Sequence, residues 1–120
     1  MASFRDLHVF QKAYSLAKEI FQCSRSFPRE EIFFLTDQIR RSSRSVSTNI
    51  AEGYRKRSYR RLFVRHLIDA DGSATETQVW LDMAKDFGYL KNDVHGRLLT
   101  ACEEVGRMLG AMLRAPEKFS

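Results

Sequence analysis

Apolar residues recur along most of this chain at steps of three and four, the spacing that gathers side chains on one side of a helix. In the first segment they fall at Leu7, Phe10, Ala13, Tyr14, Ala17, Ile20 and Phe21, with Phe4 and Val9 widening the face. Pro28 closes that segment, because the residue before a proline is pushed away from helical angles. Arg29, Glu30 and Glu31 restart a helix whose first-turn acids suit its dipole, and Ile32, Leu35, Ile39, Val46 and Ile50 form its stripe, joined by the small residues Ser42, Ser43 and Gly53. Ser58 can N-cap a third helix with core candidates Leu62, Phe63, Leu67, Ala70, Ala74, Leu81 and Ala84, and Gly88 suits its end. Asn92 or Asp93 can cap a fourth, with Val94, Leu98, Ala101, Cys102, Val105, Leu109 and Met112 on its stripe and Pro116 beyond it. The pattern predicts helices at about 5–27, 30–56, 58–87 and 92–114.

Helices joined by such short connections fold most simply as an antiparallel up-down-up-down four-helix bundle, all-α, in a single domain spanning 1–120. A hairpin about residues 56–58 places Ser42 and Ser43 near Gly72 and Ser73, and Gln38 near Glu76. Ile32 to Leu35 are apolar around the whole helix, and Leu62 to Val64 nearly so. A helix apolar on every side must be buried on every side or expose a patch, so homo-oligomerisation is expected.

Charge changes this picture. The net charge is +5, yet nine basic residues stand against one acid, Glu52, between Arg40 and Arg65. The rest of the chain is therefore slightly acidic, and the positive charge is a patch. Cys23 and Cys102 are far apart and form no C-x-x-C pair, which suits a reducing compartment. No signal peptide is evident at the start, and no window approaches ~18 consecutive apolar residues. A cytoplasmic protein with no membrane partner is the expectation.

The arginine field comprises Arg40, Arg41, Arg44, Arg55, Lys56, Arg57, Arg60, Arg61 and Arg65, with Tyr54 and Tyr59 inside it. Guanidinium groups pair bidentately with phosphate and keep their charge, and tyrosines can stack on unpaired bases, so the field points to nucleic acid. Gln38, Ser45, Asn49 and Glu52 make a polar stripe, read as a packing seam that fixes register rather than as a site. His8, His66 and His95 lack metal-ligand spacing, and Asp69, Asp71, Asp82 and Asp86 read as solvated acids. His66 and Asp69 read as a surface pair, and Trp80 as a core or interface anchor. No catalytic residue, metal site or cofactor is assigned.

The stretch QIRRSSRSVSTNIAEG, from Gln38 to Gly53, resembles the 23S rRNA-intervening-sequence protein family. The resemblance continues through Phe4, Leu7, Ala13, Phe27-Pro28, Glu31 and Leu35, and on to Gly72-Ser73, Glu76 and Gly88-Tyr89-Leu90. It implies a bacterial, antiparallel four-helix bundle that assembles as a ring-like homopentamer, with genes that sometimes sit within large-subunit rRNA insertions. It supplies no enzyme activity. A similar branch of the family binds a reverse transcriptase and nucleic acid. This chain departs from the pattern at Phe34, where glycine is common, at Ser42-Ser43, where alanines are usual, and at Thr77, where leucine is common. The leading expectation is a non-enzymatic oligomer that binds RNA or associates with the ribosome. The alternative is a scaffold or accessory factor whose arginines engage an acidic protein such as a reverse transcriptase.

Overall fold

Val9, Ala13, Leu16 and Ile20 turn inward from helix α1 (His8–Ser24) and meet Ile39, Val46 and Ile50 of α2 (Leu35–Arg55). Phe63, Leu67, Ala70, Ala74, Leu81 and Ala84 of α3 (Arg60–Asp86) and Leu98, Cys102, Val105 and Leu109 of α4 (Asn92–Arg114) complete the same core. The structure, a computed structural model, describes residues 3–119, and these are all-α, with four helices and three short 3-10 turns. Each helix packs on its neighbours in sequence, and α1 also packs on α4.

The first helix carries two interleaved stripes, and the expected face drew on both: Val9, Ala13 and Ile20 of it face the core together with Leu16, while Tyr14 and Phe21 do not. Val9, Ala13, Leu16 and Ile20 are buried, whereas Tyr14 and Phe21 remain 53% and 36% exposed. Both stripes step by four, three and four residues. They are offset by one residue, which rotates them by about 100°. Spacing alone cannot choose between them. Leu62 is likewise a correction, because it lies 49% exposed while its neighbour Phe63 is fully buried.

The second helix begins later than its apolar run. A 3-10 turn covers Arg29–Glu31, and the chain then passes through Phe34, whose φ of −121° and ψ of −106° are not helical. Ile32 therefore lies outside α2, 45% exposed. Glu31 explains the entry. One carboxylate oxygen accepts the Leu35 N–H at 3.2 Å, capping the helix, and the other accepts the Tyr89 hydroxyl at 2.7 Å. One side chain thus ties the start of α2 to the connection between α3 and α4.

The α2–α3 hairpin is displaced by about one turn from the expected register. Ser42 meets Thr77, Ser45 meets Ser73, and Asn49 meets His66. Gln38 and Trp80 line the same surface hollow, and Glu76 accepts the Trp80 indole N–H at 3.0 Å. The reason is the turn. α2 runs to Arg55, and three-residue backbone bonds (Lys56 to Gly53, Arg57 to Tyr54, Tyr59 to Lys56) carry the chain on to Tyr59. Tyr59 is the N-cap of α3, so Ser58 does not fill that role, and no side chain caps the helix. Gly53 allows the close approach at this end, since a Cβ there would lie 2.9 Å from His66 Cβ.

The remaining connection follows the sequence closely. Gly88 takes φ +83°, the Gly88 N–H bonds Lys85 O at 2.9 Å, and the Tyr89 N–H bonds Ala84 O at 2.8 Å. That pair of bonds closes a helix with glycine in the left-handed position. Lys91, not Asn92 or Asp93, precedes the first turn of α4, again with no side-chain cap. Among the described residues, no helix is long and apolar enough to cross a membrane.

Candidate nucleic-acid interface

The arginine field divides once the chain is folded. Arg40 and Arg57 are occupied by the fold itself. Arg40 donates from Nε to Ser24 Oγ at 2.8 Å and lays its guanidinium 4.7 Å from the centre of the Phe21 ring, which pins α2 to α1. Arg57 donates from Nη1 to Tyr54 O at 2.8 Å and covers the Tyr54 ring at 4.1 Å. It thereby adds a second bond to the carbonyl that already accepts the Arg57 backbone N–H at the end of α2. Tyr54, only 8% exposed and capped by Arg57, is not the stacking platform that the sequence suggests.

Arg41 and Arg65 occupy a middle position. Each pairs with an acid one turn away, Arg41 with Asp37 at 3.2 Å and Arg65 with Asp69 at 3.7 Å. Both arginine side chains are about three-quarters exposed, at 74% and 76%. Pairs of this kind contribute at most about 1 kcal/mol and are screened by salt, so a polyanion can displace them.

Arg44, Arg55, Lys56, Arg60 and Arg61 are exposed, and no carboxylate among the described residues lies within ion-pair distance of them. Four of these surround the α2–α3 turn, where Tyr59 stands 67% exposed. Arg60 and Arg61 also occupy the first turn of α3, which contains no acid. Cations there oppose the helix dipole, and the free N–H groups of that turn point the same way as the arginines. The local field attracts an anion from both sources. Arg44 stands apart, eleven residues and about 16 Å along α2 from Arg55 but on nearly the same face.

The polar stripe is half seam and half surface. Asn49 donates from Nδ2 to Ser45 O at 3.0 Å and to Ser45 Oγ at 3.1 Å. That leaves its oxygen to accept from His66 Nδ1 at 3.0 Å. Ser73 donates to Ser45 Oγ at 2.9 Å, and Thr77 and Ser42 form the buried end of the line. Gln38 and Glu52, placed in this seam by their spacing, are exposed and outside it. Their positions lie at the edge of the α2 face, where one further step of rotation reaches solvent. His66 pairs with Asn49 rather than Asp69, which Arg65 holds. The serines are already hydrogen-bonded to one another, so the line orders the interface and presents no activated nucleophile.

Three further features bear on partners. Phe33, Phe34, Val79, Met83 and Phe87 form an exposed apolar patch at the end of α2 and α3 opposite the basic turn, Phe33 reaching 82% exposure. The second stripe of α1 is another exposed apolar feature. Its signal was present in the sequence as an excess of apolar positions over what one face can hold. Among the described residues, no group of three His, Cys, Asp or Glu side chains is placed to hold a metal ion.

An all-α protein of four packed helices, with a basic turn at one end and an apolar patch at the other, is the class these features define. The chain belongs to the 23S rRNA-intervening sequence protein family, whose model matches residues 5–111. It is similar to the crystal structure of a protein of unknown function from the S23 ribosomal protein family of Bacteroides thetaiotaomicron. The two are 25% identical, the match covers 89% of this chain and 99% of that one, and the TM-score is 0.81. No curated protein matches the chain.

Proposed function

We propose that this chain is a non-enzymatic, up-down-up-down four-helix bundle that self-associates through its apolar patch and binds RNA through the α2–α3 turn. The observation that carries the reading is the turn itself: Arg55, Lys56, Arg60 and Arg61 are exposed around Tyr59 with no acid among the described residues to neutralise them. Phosphate is the ligand that such a cluster fits, and its four charges need a polyanion rather than a single carboxylate. Self-association repeats the cluster, so weak contacts add through effective concentration. A ring of five copies is the assembly to test, and the cytoplasm is the compartment this reading assigns.

The test is binding of labelled RNA to the purified protein across a salt series, beside mass measurement of the assembly. Four released counterions on a single strand give a slope of about −3 in log affinity against log salt. Arg60→Glu with Arg61→Glu should remove most of the binding and flatten that slope. Salt-insensitive binding, or a double variant that binds normally, sinks the proposal. Capture of an acidic protein in place of RNA would assign the turn to a protein partner instead.

A further inference from the structure

Phe4, Phe10 and Tyr14 form a continuous aromatic contact along α1, with ring centres 5.0 Å and 5.7 Å apart. Cations punctuate it: Arg5 sits 4.4 Å over Phe4, Lys18 lies 5.6 Å from Tyr14, and Arg40 covers Phe21 at 4.7 Å. Farther along, Tyr14 and Phe21 line an open groove of about 760 Å³ whose α2 wall includes Arg44. Among the described residues one carboxylate lines it, Glu19, and Arg97 holds it at 3.4 Å. The groove therefore offers, among those residues, the half-exposed Tyr14 ring, the Phe21 ring with Arg40 over one face, an unneutralised guanidinium and no free acid.

We infer that this α1–α2 groove takes the unpaired bases of a single-stranded RNA segment, stacked on Tyr14 and Phe21, with the phosphate chain on Arg44 and Lys18. The inference rests on the RNA reading of the basic turn and deepens it. Exposed rings have a π-face for any base, and interleaved cations follow the backbone between bases. A duplex keeps its bases stacked inside and gains nothing from the rings. Arg44 joins the groove to the turn, since it shares a face of α2 with Arg55. An apolar helix laid in the groove, including one from a second copy, would bury Arg44 without a counter-charge, which is costly. A polyanion supplies that charge.

The experiment compares three labelled RNAs at fixed salt: a short mixed-sequence single strand, the blunt duplex of that sequence, and the strand with abasic sites at its centre. Wild type should favour the intact single strand over both others. Tyr14→Ser with Phe21→Ser should weaken the single strand by roughly tenfold or more while leaving the duplex unchanged, and Tyr14→Phe should bind as wild type. Circular dichroism and mass measurement on each variant check fold and assembly. The inference is overturned if the double variant binds the single strand normally, or if strand and duplex bind wild type equally. It is also overturned if the variant changes the mass of the assembly with RNA affinity intact, which makes the groove a contact between copies. Failure here alone leaves duplex binding that still responds to Arg60→Glu with Arg61→Glu. Failure of the RNA reading leaves no binding to any of the three.

Discussion

The Thr77 hydroxyl of α3 lies 2.9 Å from Ser42 Oγ of α2, and both side chains are buried. Ser42 and Thr77 are two of the positions at which this chain departs from the pattern that it resembles, and they touch. Ser42 Oγ also reaches the Ile39 carbonyl of its own helix at 3.4 Å. The two hydroxyls satisfy each other, and the Ser73 carbonyl lies within 2.8 Å of the threonine oxygen. The pair predicts a specific coupling. Ser42→Ala and Thr77→Val should each cost about 1 kcal/mol, because each removes the cross-helix hydrogen bond. The remaining hydroxyl keeps a backbone carbonyl, Ser73 O for Thr77 and Ile39 O for Ser42. The double variant should cost less than their sum by about 0.5 kcal/mol or more. Urea unfolding of the four proteins measures this, and simple additivity would show that the two hydroxyls act independently.

Gly53 and Gly72 make opposite predictions on neighbouring helices. A Cβ at Gly53 would press on His66 Cβ at 2.9 Å, where no flexible chain end can move aside. Gly53→Ala should therefore lose about 1–3 kcal/mol through overpacking and loosening of the Asn49–His66 bond, which outweighs the gain in helix propensity. Gly72 has nothing within 4 Å, so Gly72→Ala should gain up to about 1 kcal/mol. Thermal unfolding should shift down for the first and up for the second.

Arg40 and Arg44 look alike in sequence and should separate in experiment. Arg40→Ala removes the Ser24 hydrogen bond and the cover of Phe21, so stability should fall by about 1 kcal/mol. Arg44→Ala touches no side chain that depends on it, and stability should stay within about 0.5 kcal/mol. RNA affinity should fall for Arg44→Ala. Denaturation midpoints and RNA titrations on both variants make the comparison, and equal stability loss would contradict it.

Cys102 is fully buried, donates to Ala74 O at 3.2 Å, and has its thiol pushed up to about 12 by burial and by Glu103. The unfolded thiol ionises near 9.0, so stability is intact below that pH and declines as pH climbs from about 9 towards 12. Tyr89, raised by its hydrogen bond to Glu31 and by desolvation, adds to the same alkaline loss. Cys102→Ala should flatten part of that decline. At neutral pH a thiol reagent should modify the half-buried Cys23 in the native protein and reach Cys102 only on unfolding.

The helices were legible because their signals are local. The stripe of Ile39, Val46 and Ile50 repeats at helical spacing, Pro28 stops the first segment, and Gly88 supplies the left-handed residue that ends α3. The charge patch was legible for the same reason, since nine cations against one acid need no folding to count. Beyond that the sequence is degenerate. Two stripes on α1 have the same period, and only packing against α2 and α4 chooses Leu16 over Tyr14. The register of α2 on α3 depends on where a four-residue turn begins, and one turn of slip brings Thr77 rather than Gly72 to Ser42.

The candidate site shows the division most clearly. Sequence alone determined that this protein is helical, that its positive charge is concentrated, and that Gln38 to Gly53 marks its family. Tertiary structure decided which of those arginines remain for a partner. A guanidinium is equally charged wherever it lies in the chain, but Arg40 meets Ser24 and Phe21, Arg57 meets Tyr54, and Arg44 and the turn cluster meet no acid among the described residues. Those meetings join residues from separate segments or turns, and distance in space, which spacing along one helix does not encode, decides them.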